Sequence, residues 1–273
     1  MATAPMLSLD HVGAIVRDLA AGAARWERLG FTLSPTSRQR GAVPGQEGMH
    51  PWASANRCAI FERGYLELIG LVDETCWNPW AKFLGRFEGL HLLALRCENA
   101  DAAYAKLAPH APFLDAPVQR ERKLQVDGVE RTMRFRNIFS RDAMCPEGRY
   151  IVIEHQTPGY LWQPALTKHE NGALALEEAF VVAEDAGVAR RLATLGGIPR
   201  VLTGAEFGRR FGWTPQSPAF AGVTVSFAEL DRAAQMMETR GLRLKEGAGS
   251  LWVAPEDANG FVLRMIQHEG NPT

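Results

Sequence analysis

The sequence of 273 residues lacks an excess of charge of either sign, because 30 Lys and Arg residues face 31 Asp and Glu residues. A chain this close to neutrality has no overall field that would attract nucleic acid or an anionic membrane surface. It also lacks any apolar run near the roughly 20 residues that a membrane span requires. We therefore expect a small-molecule partner, and neither nucleic acid nor a membrane.

Cysteine is scarce and irregularly spaced. Cys58, Cys76, Cys97 and Cys145 form no C-x-x-C pair, so neither a zinc knuckle nor a disulfide framework is indicated. Residues 1–9 contain no basic segment followed by a long apolar run, as an export signal would. These absences favour reduced thiols and a cytoplasmic protein.

Several catalytic signatures are missing as well. The chain has no P-loop, no dinucleotide fingerprint in a strand and helix context and no G-x-S-x-G elbow. Nucleotide-driven chemistry and serine hydrolysis therefore have no support. No helix has the basic stripe of a protein that reads a nucleic-acid groove.

A repeated supersecondary unit is the main feature that is present. Residues 9–16 are apolar and strand-like, Asp18 offers a helix N-cap, and a helical pattern follows until Gly30. Residues 91–96 begin the same pattern again, with Asn99 as the cap. Further starts lie at residues 179–183 and 222–226, which makes four copies.

The copies predict an α+β fold of tandem βαβββ modules that pair in space, because a curved sheet with a helix on one face must bury its other edge and concavity against a partner. Residues 31–35 are the expected second strand of the first module, and the third copy is degenerate after Pro199. A segment rich in Pro, Gly and polar residues separates the pairs. We expect two domains, residues 1–165 with a metal site and residues 166–273 without metal ligands.

Two His and Glu pairs recur in matching places of the first two modules. His11 and His91 lie on first strands, and Glu67 and Glu154 lie on last strands. Two imidazoles and two carboxylates suit Zn, Ni, Co, Mn or Fe and leave positions open for substrate oxygens. The pattern predicts these four residues as ligands of a divalent metal ion, with Glu67 or Glu154 as the catalytic proton carrier.

The choice of Glu154 depends on a regular strand. Tyr150, Val152 and Glu154 share one face by alternation, so His155 points to the other face. A β-bulge would exchange the two residues, which leaves His155 as an alternative ligand.

Four residues are candidates for substrate binding. His50 and Trp52 could line the mouth of the cleft, and Arg134, in a strand pair rich in arginine, could hold a carboxylate. His155 is the fourth. Loop packing and solvated outer strand faces are the competing interpretations of these residues.

Short motifs give the chain a resemblance to the vicinal oxygen chelate superfamily, and within it to glyoxalase-like proteins. They lie at residues 9–12, 55–58, 64–68, 89–91, 155–158 and 169–173, together with Trp162. The resemblance implies two domains of paired βαβββ modules, each pair forming a half-open barrel, with a divalent metal inside the concave face. It does not fix the reaction.

Three functions fit the sequence. The first is a metal-dependent glyoxalase-like enzyme, a lyase or isomerase that moves a proton on a small molecule with vicinal oxygens through a metal-stabilised enediolate. The second is a sequestering protein of the bleomycin-resistance type, and the third is an extradiol-type dioxygenase. In the C-terminal domain the matching positions fall near Glu178, Ala221 and Arg264. This domain is expected to cover or complete the N-terminal cleft, or to form a homodimer.

Overall fold

The computed structural model describes residues 7–126, 128–247 and 249–269. These residues form two mixed β-sheets and six α-helices, so the predicted α+β class is confirmed. Within the described part of the chain, no helix is long and apolar enough to cross a membrane. Residues 1–6, on which part of the export prediction rests, lie outside the described residues.

Two βαβββ modules build the first sheet. Its strands lie in the order β2-β3-β4-β1-β5-β8-β7-β6. The elements are β1 (Ser8–Val16), α1 (Leu19–Arg28), β2 (Ser37–Gly41), β3 (His50–Ile60), β4 (Tyr65–Leu71), α2 (Ala81–Leu84), β5 (Gly89–Arg96), α3 (Ala100–Leu107), β6 (Val118–Val126), β7 (Val129–Phe139) and β8 (Arg149–His155).

Both modules begin in the way that their sequences predict. Asp18 caps α1 by accepting a hydrogen bond from the Ala21 amide, and Asn99 caps α3 by accepting one from Ala102. The antiparallel pair of β1 and β5 joins the modules, and each first strand is parallel to the last strand of its own module. This arrangement is the pairing that the repeat predicts and the half-open barrel that the resemblance implies.

The second strand of the first module lies later than expected. Residues 31–35 make one irregular pairing, from the Ser34 amide to the Cys58 carbonyl, and the strand forms instead at Ser37–Gly41. Pro35 has no N–H with which to continue a ladder, so regular pairing with β3 starts after it.

The second sheet contains the remaining modules, in the order β10-β9-β11-β14-β13-β12. Its elements are β9 (Ala173–Val182), α4 (Ala186–Thr194), β10 (Arg200–Leu202), α5 (Gly204–Phe211), β11 (Ala219–Phe227), α6 (Leu230–Thr239), β12 (Leu244–Gly247), β13 (Ser250–Val253) and β14 (Val262–Gln267). The third module is degenerate as predicted, because α5 follows its short β10. Phe207 and Phe211 of α5 pack with Phe180 and Trp252 on the concave face of this sheet.

One hydrophobic core joins the two sheets through the faces that carry helices. Trp26 of α1 packs edge-on against Phe261, with ring centroids 6.4 Å apart. Arg191 of α4 donates hydrogen bonds of 3.0 and 2.7 Å to the buried carboxylate of Glu147. The second sheet thus packs behind the first, which corrects the expectation that the C-terminal domain covers the first concave face.

The domain boundary at residues 165 and 166 falls between β8 and β9 and stays a prediction, as does the homodimer.

Candidate functional site

A β-bulge in β1 determines which side chains face the concave side of the first sheet. Leu9 pairs with Leu95 and His11 pairs with Ala94, so Asp10 is an extra residue between them. The bulge turns the neighbouring side chains of Asp10 and His11 to the same side. Both are buried there, with exposed fractions of 0% and 3%.

Asp10 is the centre of a charged cluster. His11 Nδ1 lies 2.7 Å from its Oδ1, His155 Nε2 lies 3.1 Å from the same oxygen, and Arg96 Nε donates to Oδ2 at 2.7 Å. Burial opposes the charged form, but the hydrogen bonds from His11 and His155 hold the pKa of Asp10 well below its ordinary value. An ionised carboxylate only accepts, so Nδ1 of His11 carries a proton, and in this tautomer Nε2 is an acceptor.

That free nitrogen faces Glu67. His11 Nε2 lies 4.0 Å from Glu67 Oε2, and Asn56 donates a hydrogen bond to the other carboxylate oxygen. Tyr65 stacks on the His11 ring with centroids 4.3 Å apart. Burial, reinforced by Asp10 and Glu67, holds the pKa of Tyr65 well above its ordinary value, so the phenol stays neutral. His11 and Glu67 therefore present two acceptor atoms to one point.

Asn56 connects this pair to an open space that we call the first cleft. The first cleft has a volume of about 310 Å³ and runs between the β2–β3 and β6–β7 edges of the barrel. Arg122 of β6 reaches across it and donates to Asn56 Oδ1 at 3.3 Å. Its apolar wall includes Ile60, Leu124 and Met133. The cleft thus has a cationic mouth and a polar floor.

Cys58 also lines the first cleft, yet it is no nucleophile. Burial, reinforced by the charge of Glu67, raises the pKa of the thiol far above its ordinary value. The protonated thiol is part of the apolar wall of the cleft and belongs to a small hydrophobic cluster with Tyr65 and Trp162.

Two members of the predicted ligand set lie elsewhere. Glu154 Oε2 accepts a hydrogen bond from the Ala100 amide at the start of α3, because the even positions of β8 face the helices. His91 is the extra residue of a second bulge, and its ring stacks on Phe87 with centroids 4.3 Å apart. The structure brings together His11 and Glu67 and corrects the expectation that His91 and Glu154 join them.

The same strand geometry gives His155 a role beside the cleft. Ile151, Ile153 and His155 occupy the concave face of β8, which pairs regularly with β5 and β7. The expectation that Glu154 faces the concave side of a regular β8 and that His155 points away from it is therefore wrong, because it assigned the two faces of the strand the other way round. His155 binds Asp10 and packs edge-on against Trp162, with ring centroids 5.0 Å apart. It supports the carboxylate that orients His11.

The other predicted substrate residues do not meet at this point. His50 Nε2 donates to the Glu47 carbonyl within its own loop, and Trp52 packs against Trp77 and Trp80. Arg134 lies on the outer face of its strand and pairs with Glu121. Arg122, from the same arginine-rich hairpin, is the guanidinium that faces the first cleft.

Sequence reasoning missed Asp10 and Arg96 as members of the site. In a regular strand Asp10 would face away from His11, so only the bulge brings the two together. Arg96 stacks over the Trp162 ring at 4.4 Å, a contact between segments far apart in the chain. The one available signal was an Asp directly before a His in an otherwise apolar strand.

The donors that remain do not fit a resident divalent metal. Such ions take three or four side-chain ligands from a protein. Within residues 7–126, 128–247 and 249–269, no three His, Cys, Asp or Glu side chains are arranged to hold one. Leu92, Ala94 and Ile151 occupy concave positions of β5 and β8 and supply no donor, and Nε2 of His155 on β8 is already hydrogen-bonded to Asp10.

Comparisons with known proteins agree with the architecture. The glyoxalase-like domain family matches residues 9–196. A hypothetical protein from Staphylococcus aureus is 11% identical over 96% of this chain and 100% of that chain, with a TM-score of 0.61. A mutant of 4-hydroxymandelate synthase from Streptomyces coelicolor is 9% identical over 98% of this chain and 94% of that chain, with a TM-score of 0.60. A search of curated proteins gives no match. At these identities the two structures support the fold alone.

Proposed function

Because the chain belongs to the glyoxalase-like domain family, within the vicinal oxygen chelate superfamily, we propose that it is an enzyme that moves a proton on a small anionic molecule with neighbouring oxygens. His11 and Glu67 are the reacting residues. The observation that carries the proposal is their facing pair of acceptor atoms, 4.0 Å apart behind the first cleft.

The chemistry follows from the two acceptors. Glu67 takes a proton from the carbon beside a carbonyl group and returns it to the neighbouring carbon. His11 Nε2 takes the hydroxyl proton of the adjacent oxygen and delivers it to the other oxygen. No net proton is gained or lost, so the overall change is an isomerisation or an exchange with solvent.

Asp10 supports this cycle by fixing the His11 ring. Its hydrogen bond to Nδ1 selects the tautomer whose Nε2 accepts, and its charge stabilises the imidazolium that forms during the transfer. The Asn56 amide fixes the Glu67 carboxylate in the same way.

Arg122 supports an anionic substrate. Its side chain is half-buried at the cleft, and no carboxylate among the described residues pairs with it. A guanidinium held by a single amide oxygen retains donors for a carboxylate or for the oxyanion that develops on the substrate.

Members of the superfamily generally use a divalent metal. The donor set of this chain does not fit one, so the proposal assigns the proton steps to side chains alone. The predicted cytoplasmic location and homodimer are compatible with this function and stay predictions.

Solvent exchange tests the proposal. Small 2-hydroxy and 2-oxo acids and hydroxyaldehydes are incubated with the protein in deuterium oxide, and carbon-bound deuterium is measured by NMR. We expect exchange with the wild type, also after dialysis against a chelator, and a loss of about 10²–10⁴-fold in His11→Gln and Glu67→Gln.

Two results would overturn the proposal. The first is binding without exchange in the wild type, which would support a sequestering protein instead. The second is exchange that persists in both variants, or that disappears with the chelator and returns with an added metal. Circular dichroism of the variants checks that the fold is retained.

A further inference from the structure

The second sheet has a concave face of its own, with a smaller opening that we call the second cleft. The second cleft has a volume of about 220 Å³. It is lined by Arg209, Arg210, Phe211, Gly247, Ser250 and Trp252. The proposed reaction does not use this part of the molecule.

A row of paired residues crosses the sheet at this level. Glu178 lies opposite Thr224, Thr224 lies opposite Arg264, and Arg264 lies opposite Trp252. Directly paired residues share a face of the sheet, so the row belongs to the side of the second cleft. Arg264 Nε donates to Ser250 Oγ at 3.1 Å, which links the row to the lining of the cleft.

Positive charge exceeds negative charge at this row. Arg200 Nε lies 3.0 Å from Glu178 Oε1, and an Arg264 nitrogen lies 3.6 Å from Oε2 of the same carboxylate. Arg210 lies over the rings of Phe180 and Phe211, at 5.7 and 5.5 Å, and pairs with no carboxylate in the described parts of the chain. Two guanidinium groups thus share one carboxylate, and that of Arg210 has none among the described residues.

Burial makes the excess of positive charge at this row energetically unfavourable. The side chain of Arg264 is only 17% exposed, so little water screens it from its neighbours. Burial, with the nearby charge of Arg210, lowers the pKa of Arg264 below its ordinary value, although Glu178 opposes the shift. An anion in the second cleft would relieve this repulsion.

We propose that the second cleft binds a phosphate-sized oxyanion through Arg210 and the Ser250 hydroxyl, which line it, with the guanidinium of Arg264 behind Ser250 as the third contact. Guanidinium groups match tetrahedral oxyanions with paired N–H donors. Glu178 holds Arg264 and Arg200 from the other side, and the Phe180 and Phe211 rings support Arg210. The site is independent of the His11 and Glu67 chemistry.

Calorimetric titration with inorganic phosphate at constant ionic strength tests the site. We expect saturable binding to the wild type and a melting temperature that rises with the phosphate concentration. Arg210→Gln is expected to weaken binding about 10–100-fold, because it removes a charge-assisted hydrogen bond. Arg232→Gln is the matched control, because Arg232 is an exposed residue of α6 that pairs with Glu229.

Arg264→Gln should weaken binding as well, but it deprives Glu178 of a partner and could unfold the sheet. Arg210 has no carboxylate to release, so its variant carries the test. The proposal is overturned if the wild type shows no saturable binding, or if Arg210→Gln binds phosphate as tightly as Arg232→Gln. The arginines would then form an ionic cluster with a structural role alone.

Discussion

The side chains of Asp10 and His11, adjacent in sequence, point to the same side of β1, with His11 Nδ1 2.7 Å from Asp10 Oδ1. Neighbours in a regular strand point to opposite sides. The bulge therefore converts a strand dipeptide into an oriented imidazole with a carboxylate behind it, and the proposed function depends on this contact.

Replacing the carboxylate of Asp10 measures its contribution to the proposed reaction. Asp10→Asn keeps the shape of the residue but removes its charge, so the imidazolium formed at His11 loses its stabilisation. We expect the rate of substrate deuterium exchange to fall about 10²–10⁴-fold. Asp18→Asn is the control, because Asn caps a helix as well as Asp does and the rate should not change. Equal rates in both variants would contradict the role of Asp10.

The same substitution alters the response of stability to acid. The folded pKa of Asp10 lies below its ordinary value of 3.8, so the ionised carboxylate contributes stability above that pH. This contribution is lost as the pH falls below 3.8. Urea unfolding of the wild type should therefore show a larger loss between neutral and strongly acidic solution than unfolding of Asp10→Asn. Parallel curves would show that the buried charge does not stabilise the fold.

Arg122 and Arg134 form a matched pair on the two faces of one hairpin. Arg122→Gln should raise KM about 10–100-fold with a smaller effect on kcat, because an anionic substrate loses a charge-assisted contact. Arg134→Gln removes the same charge from the outer face, where Glu121 pairs with it, and should leave both constants unchanged. Steady-state kinetics of the exchange reaction measures both. A KM effect confined to Arg134→Gln would favour the original sequence-based assignment.

Variants of Glu154 and Glu67 distinguish a carboxylate that caps a helix from one that takes part in the reaction. Glu154→Gln weakens the hydrogen bond to the Ala100 amide and should lower the free energy of unfolding by about 0.5–1.5 kcal/mol. Its exchange activity should equal that of the wild type, whereas the activity of Glu67→Gln should fall about 10²–10⁴-fold. Loss of activity in a stably folded Glu154→Gln protein would contradict the observed placement.

His91 should make stability sensitive to mild acid. Burial lowers its pKa from 6.5 to about 4, although its hydrogen bond to the Phe87 carbonyl opposes the shift. The neutral ring is favoured in the folded state, so stability is present above pH 6.5 and is lost as the pH falls towards 4. The loss at pH 5 is about 2 kcal/mol for this group.

Urea unfolding at neutral pH and at pH about 5 checks the size of that loss. His91→Leu should flatten the dependence, whereas His110→Leu, at an exposed position, should keep it. The comparison uses the change with pH, so a constant packing cost in His91→Leu does not affect it. An unchanged slope in His91→Leu would contradict the prediction.

Much of the fold could be predicted because its signals are local. The apolar strand ahead of a capped helix identifies each module, and Asp18 and Asn99 cap the helices as expected. The arrangement of the third module could not be predicted, because α5 is stabilised by packing of Phe207 and Phe211 on a distant sheet. The late start of β2 could have been predicted, because Pro35 is a local signal that regular pairing begins only after it.

The candidate site was only half predictable. Alternation identifies which residues of one strand share a face, as for Glu154 and His155, but not which face is concave. That choice depends on which side the helices cover, and helix packing is a property of the whole sheet.

The sequence by itself determined the repeated βαβββ modules, their pairing, and the His11 and Glu67 positions, because strand and helix periodicity and capping act over a few residues. Only the tertiary structure decided that Asp10 stands behind His11, that Arg122 faces the cleft instead of Arg134, and that His91 and Glu154 lie apart from it. A bulge shifts every following side chain by one position, and strand pairing and burial together decide where it forms.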